Sequence, residues 1–257
     1  MAWCGRTRRG FELKADLYLP NGNGPFPAIV FLHGGGFTDR NRAQLRRQAA
    51  HMAALGMVGF AIEYRVAKEA PYPAAVSDAE AAVRWLRANA AKYHIDTERI
   101  FAAGSSAGGH LATMLGVTGG EAALEGDGCC KQFSSKVTAV VAFNPVLDLT
   151  ALARRDSTTR FLGGKCEERM AMCKDASPIS HANHDAAPML ILHGTADETV
   201  PYQQATAMVA KLKAAGAPVE LFTATDAAHT FRSTAKWYAP SEQAMEEFLL
   251  RFVKAKR

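Results

Sequence analysis

Short apolar runs recur along the chain, and longer stretches with helical patterns lie between them. The runs are Ala28–Leu32, Met57–Ile62, Ile100–Ala103, Val137–Phe143 and Met189–Leu192. Their length and continuity are typical of strands that are buried on both faces of a sheet. Val219–Phe222 is predicted as a further strand. Leu13–Leu19 alternates apolar and polar residues, which predicts a half-buried strand that enters the sheet antiparallel.

The predicted helices are Ala43–Leu55, Ala74–Tyr93, Ala107–Leu115, Tyr202–Ala215 and Ser241–Val253. Because strands alternate with helices, we predict an α/β fold, a three-layer sandwich in which helices cover both faces of a mostly parallel central sheet. Residues 116–136 and 147–188 interrupt the alternation and are predicted to be irregular. We expect residues 1–257 to form a single domain, with a small lid or pocket insertion around residues 147–188.

Composition and charge add few constraints. The 257 residues, 48% of them hydrophobic, can bury a core without a metal or a disulfide. The chain has 30 basic and 25 acidic residues, a formal net charge of +5. Arginines cluster at positions 6–9 and 40–47, but no aromatic residues are interleaved with them. A solvated basic surface is therefore favoured over a nucleic-acid site.

The five cysteines cannot all pair within the chain. None has the spacing of a zinc site, and we expect neither a metal nor an organic cofactor. For Cys129, Cys130, Cys166 and Cys173, a disulfide and free thiols are both open. The first ten residues lack the apolar core of a signal peptide, and no apolar run is long enough to span a membrane. A cytoplasmic protein and a secreted protein without its leader both fit, and the oligomeric state is open.

The strongest chemical signal is Gly104-Ser105-Ser106-Ala107-Gly108, which follows an apolar strand and precedes a helix. A serine in the middle of Gly-x-Ser-x-Gly lies on a sharp, strained turn where only small neighbours fit. Its hydroxyl projects above the sheet at the positive end of the helix, where negative charge is stabilised. The spacing predicts Ser106, not Ser105, as a nucleophile. The competing interpretation is a turn of small residues that lets a helix pack closely.

A second signal is His33-Gly34-Gly35-Gly36, directly after the strand Ala28–Leu32. Three glycines leave the backbone amides unobstructed, so that a substrate oxyanion can approach them. We expect the amides of Gly35, Gly36 and Ala107 to form an oxyanion hole. His33 is expected to brace the loop.

A serine nucleophile needs a base, and the base needs a carboxylate to orient it. Of the eight histidines, His229 is best placed, because it lies in a loop of small residues after the last predicted strand. Asp197 follows Met189–Leu192 and is the favoured acid, with Glu198 and then Asp226 as alternatives. The other histidines are expected to pack, to brace loops or to be solvated, and they are His33, His51, His94, His110, His181, His184 and His193.

With these residues the chain resembles the α/β-hydrolase family, in which nucleophile, acid and base follow in this order. Within that family it is similar to esterases with a His-Gly-Gly-Gly oxyanion motif. These are the hormone-sensitive-lipase-like esterases and the smaller esterases of acetylated or feruloylated plant polysaccharides. The stretches that carry the resemblance are residues 16–20, Glu63-Tyr64-Arg65, Val83-Arg84-Trp85-Leu86, residues 106–111 and residues 193–197. The chain has no long helical cap before its first strand, so it is more similar to the smaller esterases.

The resemblance implies hydrolysis of short-chain acyl esters through an acyl-enzyme. It makes Ser106 the nucleophile, His229 the general base and Asp197 the orienting carboxylate. The expected partner is a small-molecule or carbohydrate ester, such as acetylated xylan, and neither a nucleic acid nor a membrane span is expected. Two alternatives stay open: an amidase, formamidase or peptidase with the same triad, and a noncatalytic binding protein on a hydrolase scaffold.

Overall fold

The central sheet has eight strands within the part of the chain that the computed structural model describes, residues 2–6 and 12–254. They are β1 (Ala2–Arg6), β2 (Glu12–Tyr18), β3 (Phe26–Leu32), β4 (Val58–Ile62), β5 (Ile95–Ser105), β6 (Val140–Phe143), β7 (Met189–Gly194) and β8 (Val219–Ala224). Their order across the sheet is β1-β2-β4-β3-β5-β6-β7-β8. The β1–β2 and β2–β4 pairings are antiparallel, and all later pairings are parallel. The predicted mostly parallel sheet is confirmed.

Helices cover both faces of this sheet. They are α1 (Arg46–Ala54), α2 (Ala74–Ala88), α3 (Ala90–Tyr93), α4 (Ala107–Thr118), α5 (Asp156–Leu162), α6 (Met170–Asp175), α7 (Gln203–Ala214) and α8 (Ala235–Lys254). Side chains of α1 and α8 belong to one hydrophobic cluster, and those of α2, α4 and α7 belong to another. The predicted three-layer α/β sandwich is therefore confirmed. None of these helices is long and apolar enough to cross a membrane.

The strand β3 shows why its sequence is apolar without alternation. Ile29 and Phe31 pack into the cluster of α1 and α8, whereas Val30 and Leu32 pack into the cluster of α2 and α4. All four side chains are at most 1% exposed. A strand with helices on both sides has no solvated face, so every position favours an apolar side chain.

Several element boundaries differ from the prediction. The helix α8 begins at Ala235, not at Ser241, and runs through Pro240. The Ser241 hydroxyl donates to the Tyr238 carbonyl at 3.0 Å, so this serine bonds within the helix and does not start it. The predicted helix over residues 74–93 is interrupted at Asn89, whose backbone leaves helical geometry with φ −104° and ψ 14°. β5 starts at Ile95, five residues earlier than predicted. Four polar residues, 96–99, separate Ile95 from the apolar run and hid the start of the strand.

The segment of residues 147–188 is not irregular throughout, because it contains α5 and α6. Phe161 and Leu162 of α5 are buried in the same cluster as α2 and α4. Cys166 and Cys173 form a disulfide within this segment, and both are fully buried. Elsewhere Cys129 is also disulfide-bonded, whereas Cys130 is a free thiol.

Candidate active site

Ser106 lies at the sharp turn between β5 and α4, with φ 56° and ψ −119°. Its amide donates to the Phe143 carbonyl at 2.9 Å. A β-carbon at Gly104 would overlap the carbonyl of Gly108, and a β-carbon at Gly108 would overlap the carbonyl of Leu32. The turn therefore requires glycine at both positions, and this is the backbone geometry of a nucleophile elbow.

The structure brings Ser106, Asp197 and His229 together at the edge where the parallel strands end. Ser106 follows β5, Asp197 follows β7, and His229 follows β8. Ser106 Oγ lies 2.9 Å from His229 Nε2, and His229 Nδ1 lies 2.7 Å from Asp197 Oδ2. A carboxylate only accepts hydrogen bonds, so Nδ1 carries the ring proton and Nε2 is left as the acceptor for the serine hydroxyl.

The carboxylate of Asp197 is 5% exposed but is well supplied with donors. Its Oδ1 accepts the amides of Thr199 at 2.9 Å and Val200 at 2.8 Å, and its Oδ2 lies 3.2 Å from His193 Nε2. Burial acts to raise the pKa of Asp197, but the hydrogen bonds from His193, His229 and the Val200 amide outweigh it and hold the pKa well below its usual range. His193 Nε2 also donates to the Val200 carbonyl at 2.8 Å, which is the loop-bracing role expected of His193.

The loop after β3 supplies backbone donors without partners. Among the described residues, no group accepts a hydrogen bond from the amides of Gly35, Gly36 or Ala107. Gly35 and Gly36 have φ of 121° and 57°, a region that favours glycine. All three residues line the same cavity as Ser106. These amides can therefore stabilise negative charge that develops on a bound ester.

The loop of residues 33–36 is held in place from two sides. The His33 ring stacks on Tyr64 with centroids 4.3 Å apart, and His33 Nδ1 donates to the Gly34 carbonyl at 2.7 Å. The Tyr64 hydroxyl donates to the His33 carbonyl at 2.8 Å. On the other side, the Gly34 amide donates to Gln44 Oε1 at 2.5 Å. His33 has the expected bracing role, whereas Gln44 was not singled out from the sequence.

A cavity of about 470 Å³ opens over these groups. Its apolar wall consists of Phe37, Val146, Leu152 and Val200. Its polar and basic lining residues, besides those already described, are Asn144, Arg155, Ser157, Thr230, Arg232 and Ser233, together with Ser105 and Thr199. The volume suits a small molecule, and the segment 147–188 contributes Leu152, Arg155 and Ser157.

Comparison with known proteins places the chain in a family. The model of the BD-FAE family matches residues 15–212. The chain belongs to the BD-FAE family. Esterase LipC of Mycobacterium tuberculosis is 32% identical over 198 residues, which are 74% of this chain and 49% of LipC. Esterase LipQ of the same organism is 32% identical over 213 residues, 79% of this chain and 49% of LipQ. The chain thus spans about half the length of these relatives.

Solved esterase structures are similar to this BD-FAE family member over nearly the whole chain. Thermogutta terrifontis esterase 2 with butyrate bound has a TM-score of 0.83 and 32% identity, and it aligns over 98% of this chain and 94% of its own. The same esterase phosphorylated by paraoxon has a TM-score of 0.83, 33% identity and the same coverage. The resemblance to esterases of the α/β-hydrolase fold is therefore confirmed.

Asn144 contacts His229, the candidate base of this BD-FAE family member. The sequence analysis did not predict this contact. Its Nδ2 lies 3.0 Å from Nε2 and 3.2 Å from Nδ1 of His229. Asn144 is 1% exposed, and its Oδ1 has no hydrogen-bond partner among the described residues. It directly follows β6, between the strands that precede Ser106 and Asp197. A polar residue at the end of a buried strand next to β5 was the signal that could have found it.

The alternative acids and His110 do not join the chain of contacts between Ser106, His229 and Asp197. Glu198 and Asp226 are exposed, and neither carboxylate contacts His229 among the described residues. His110 is fully buried, packs against the Phe37 and Phe161 rings, and has a pKa that burial lowers to about 3. Over the described residues, no cluster of three or more His, Cys, Asp and Glu side chains could hold a metal ion.

Proposed function

We propose that this protein is a carboxylesterase that hydrolyses short-chain acyl esters through an acyl-enzyme on Ser106. The observation that carries the proposal is the continuous contact from Ser106 Oγ through the His229 ring to Asp197, at 2.9 and 2.7 Å. Unpaired backbone amides line the same cavity. A nucleophile, its base, an orienting carboxylate and an oxyanion hole are the set of groups that acyl transfer requires.

In the acylation step, His229 Nε2 takes the proton of the Ser106 hydroxyl while the serine oxygen attacks the ester carbonyl carbon. The carbonyl oxygen becomes an oxyanion that accepts hydrogen bonds from the amides of Gly35, Gly36 and Ala107. The intermediate collapses, the bond to the alcohol oxygen breaks, and His229 gives its proton to the leaving alcohol. Asp197 stays ionised and stabilises the protonated ring, in agreement with its low pKa.

Deacylation repeats these steps with water as the nucleophile. His229 removes a proton from water, the resulting hydroxide attacks the acyl carbon, and Ser106 recovers its proton as the acid is released. The His229 side chain is partly exposed, 18% accessible, which is compatible with water entry. The net reaction is therefore ester plus water to acid plus alcohol, with the enzyme unchanged.

The size of the cavity and the relatives support a short acyl chain. The volume of about 470 Å³ and the apolar wall of Phe37, Val146, Leu152 and Val200 favour a small acyl group over a long one. The Thermogutta terrifontis esterase has been solved with butyrate and with propionate bound. An acetyl group on a carbohydrate such as xylan belongs to this class and is included in the proposal.

The decisive experiment is Ser106→Ala assayed with p-nitrophenyl acetate. Loss of the nucleophile lowers kcat by roughly 10⁴- to 10⁶-fold in enzymes of this mechanism. Ser105→Ala is the matched control, because it removes a neighbouring hydroxyl that does not contact His229, and we expect it to stay within about tenfold of the native activity. Near-native turnover by Ser106→Ala would refute the proposal.

A substrate panel separates the esterase from its competitors. We expect p-nitrophenyl esters from C2 to C4 to be cleaved faster than C8 to C12 esters, with acetylated xylan and methyl ferulate tested alongside. Faster cleavage of an aryl anilide than of the matched ester would favour an amidase. No covalent labelling of the native protein by a fluorophosphonate would favour a noncatalytic binding protein.

A further inference from the structure

Arg232 is a buried cation with almost no partners, and it lies three residues after His229. It is 8% exposed, and its Nε donates to Ser105 Oγ at 3.3 Å. Among the described residues, no carboxylate lies within ion-pair distance of Arg232, and no group accepts a hydrogen bond from its Nη1 or Nη2. The charge of Glu242 acts on Arg232 without an ion pair, and Glu242 Oε1 accepts from Gln48 Nε2 at 2.6 Å.

Among the described residues, the one other buried arginine, Arg84, and the partly buried Arg65 both have a carboxylate partner. Arg65 Nη2 lies 2.7 Å from Asp78 Oδ1, and the buried Arg84 forms an ion pair with Glu125. Removing a guanidinium from water without a counter-ion is costly, and such groups are usually paired. Burial accordingly lowers the pKa of Arg232. A buried charge without a direct ion pair at the edge of an active site is typical of a group whose partner is a ligand.

The donors of Arg232 face open space. Arg232 lines the cavity above Ser106, and it also lines a neighbouring cleft together with Arg46 and Arg47. Arg155 lies on the lining of the same cavity. No aspartate or glutamate is among the described lining residues of either space. Arginines without lining carboxylates favour anionic over cationic ligands in both spaces.

We propose that Arg232 binds an anionic group of the ester substrate, a carboxylate carried on either its acyl or its alcohol part. This inference rests on the proposed esterase function. A guanidinium presents a planar fork of donors that matches the two oxygens of a carboxylate. Arg232 is anchored by Ser105, the residue next to the nucleophile, so the bound carboxylate lies a few bonds from the ester carbonyl. The preferred substrates are esters of acidic molecules, such as an acylated hydroxy acid or acidic sugar.

The test compares esters of similar size, one of which carries a carboxylate and the other a neutral group. On the alcohol side, 3-acetoxybenzoate is compared with 3-acetoxybenzamide. On the acyl side, 4-nitrophenyl hydrogen adipate is compared with 4-nitrophenyl hexanoate. We expect the native enzyme to have a higher kcat/KM for the anionic member of one pair, and the pair that responds identifies which part of the substrate contacts Arg232.

Arg232→Gln should lower kcat/KM for that anionic ester by about 10- to 100-fold, the usual effect of losing a hydrogen bond to a charged group. The neutral ester of the pair should change by less than about threefold. Arg232→Lys should restore part of the preference, because it keeps the charge and loses the fork. Arg154→Gln is the matched control, since Arg154 is exposed and does not line the cavity.

Equal losses for both members of each pair would overturn the inference and make Arg232 a structural partner of Ser105. A native enzyme without a preference for either anionic ester would overturn it as well. If the Arg232 variants do not fold, benzoate and benzamide are compared as inhibitors of p-nitrophenyl acetate hydrolysis by the native enzyme. Tighter inhibition by benzoate supports the carboxylate site, and equal inhibition contradicts it. Failure of the esterase proposal can be told apart from failure of the Arg232 inference, because in the first case no ester of the panel is hydrolysed.

Discussion

Asp197 and Glu80 are both buried carboxyl groups, and their surroundings shift their proton affinities in opposite directions. Asp197 lies in the loop after β7, where two histidine rings and two backbone amides donate to it and hold its pKa well below the usual range. Glu80 lies within α2 and is fully buried. Burial raises the pKa of Glu80 to about 7. The depth of burial therefore does not decide whether a carboxyl group is charged.

The difference lies in the supply of hydrogen-bond donors. In the loop after β7, the amides of Thr199 and Val200 are not used by regular structure and point to the carboxylate. Within α2, the backbone amides around Glu80 are consumed by the helix. Neither carboxyl oxygen of Glu80 has a hydrogen-bond partner among the described residues. The charge of Arg84 acts on Glu80, but its ion pair is with Glu125. A loop at the end of a strand can thus keep a buried acid ionised, which is the state that orients a catalytic base.

Among the changes that test this comparison, Asp197→Asn has the largest expected effect. The amide keeps the size of the side chain but removes the charge that fixes the His229 tautomer, so kcat for p-nitrophenyl acetate should fall by about 10³- to 10⁴-fold. Glu198→Gln is the matched control, because Glu198 is the exposed neighbouring acid, and its kcat should change by less than about threefold. The reverse ranking of these two variants would assign the orienting role to Glu198.

The features that could be predicted from the sequence are those in which several neighbouring residues meet the same physical requirement. Buried strands such as Ala28–Leu32 are apolar because both faces are covered, so the sheet could be predicted. The elbow around Ser106 was visible because a tight turn excludes all but small residues. In both cases several neighbouring positions have the same requirement, so the pattern predicts the structure better than any single residue does.

The residues that the sequence did not reveal depend on single contacts. Gln44, Asn144 and Arg232 are isolated polar residues in loops or short turns, and only the folded chain brings them to Ser106 and His229. The short helices α5 and α6 have six to seven residues each, too few for a clear periodic pattern. The pairing of Cys166 with Cys173 likewise depends on the fold, since spacing does not determine connectivity.

Asn144→Asp places a second carboxylate, beside Asp197, against the candidate base His229. It tests whether the charge of a buried carboxylate next to this ring controls its protonation. The Asn144 amide lies within 3.2 Å of both His229 ring nitrogens, and a negative charge there favours the protonated ring. A protonated ring cannot accept the serine proton. The acidic limb of the kcat/KM profile should therefore move to higher pH than that of the native enzyme, and kcat/KM measured across the pH range checks this.

Asn144→Gly is the control for this experiment. Asn144 has φ of 39°, a conformation that Asp and Gly both tolerate, so neither variant adds backbone strain. Glycine removes the amide without adding charge, and the position of its pH profile should match that of the native enzyme. If Asn144→Asp and Asn144→Gly have the same profile, the charge at this position does not influence the base.

Glu80→Gln should have the smallest effect on activity and a clear effect on the pH dependence of stability. The folded protein holds the Glu80 proton up to about pH 7, whereas the unfolded chain releases it near the ordinary value of 4.5. The folded state therefore binds more protons between these pH values, and the contribution of Glu80 is fully present below pH 4.5 and lost as pH rises through 7. Over that window the native free energy of unfolding should fall by roughly 3 kcal/mol more than that of Glu80→Gln.

Urea unfolding at pH 4.5, 6 and 7.5 measures the difference, and Glu198→Gln serves as an exposed control. Parallel curves for the native protein and Glu80→Gln would mean that Glu80 is ionised in the fold, and the contrast with Asp197 would disappear.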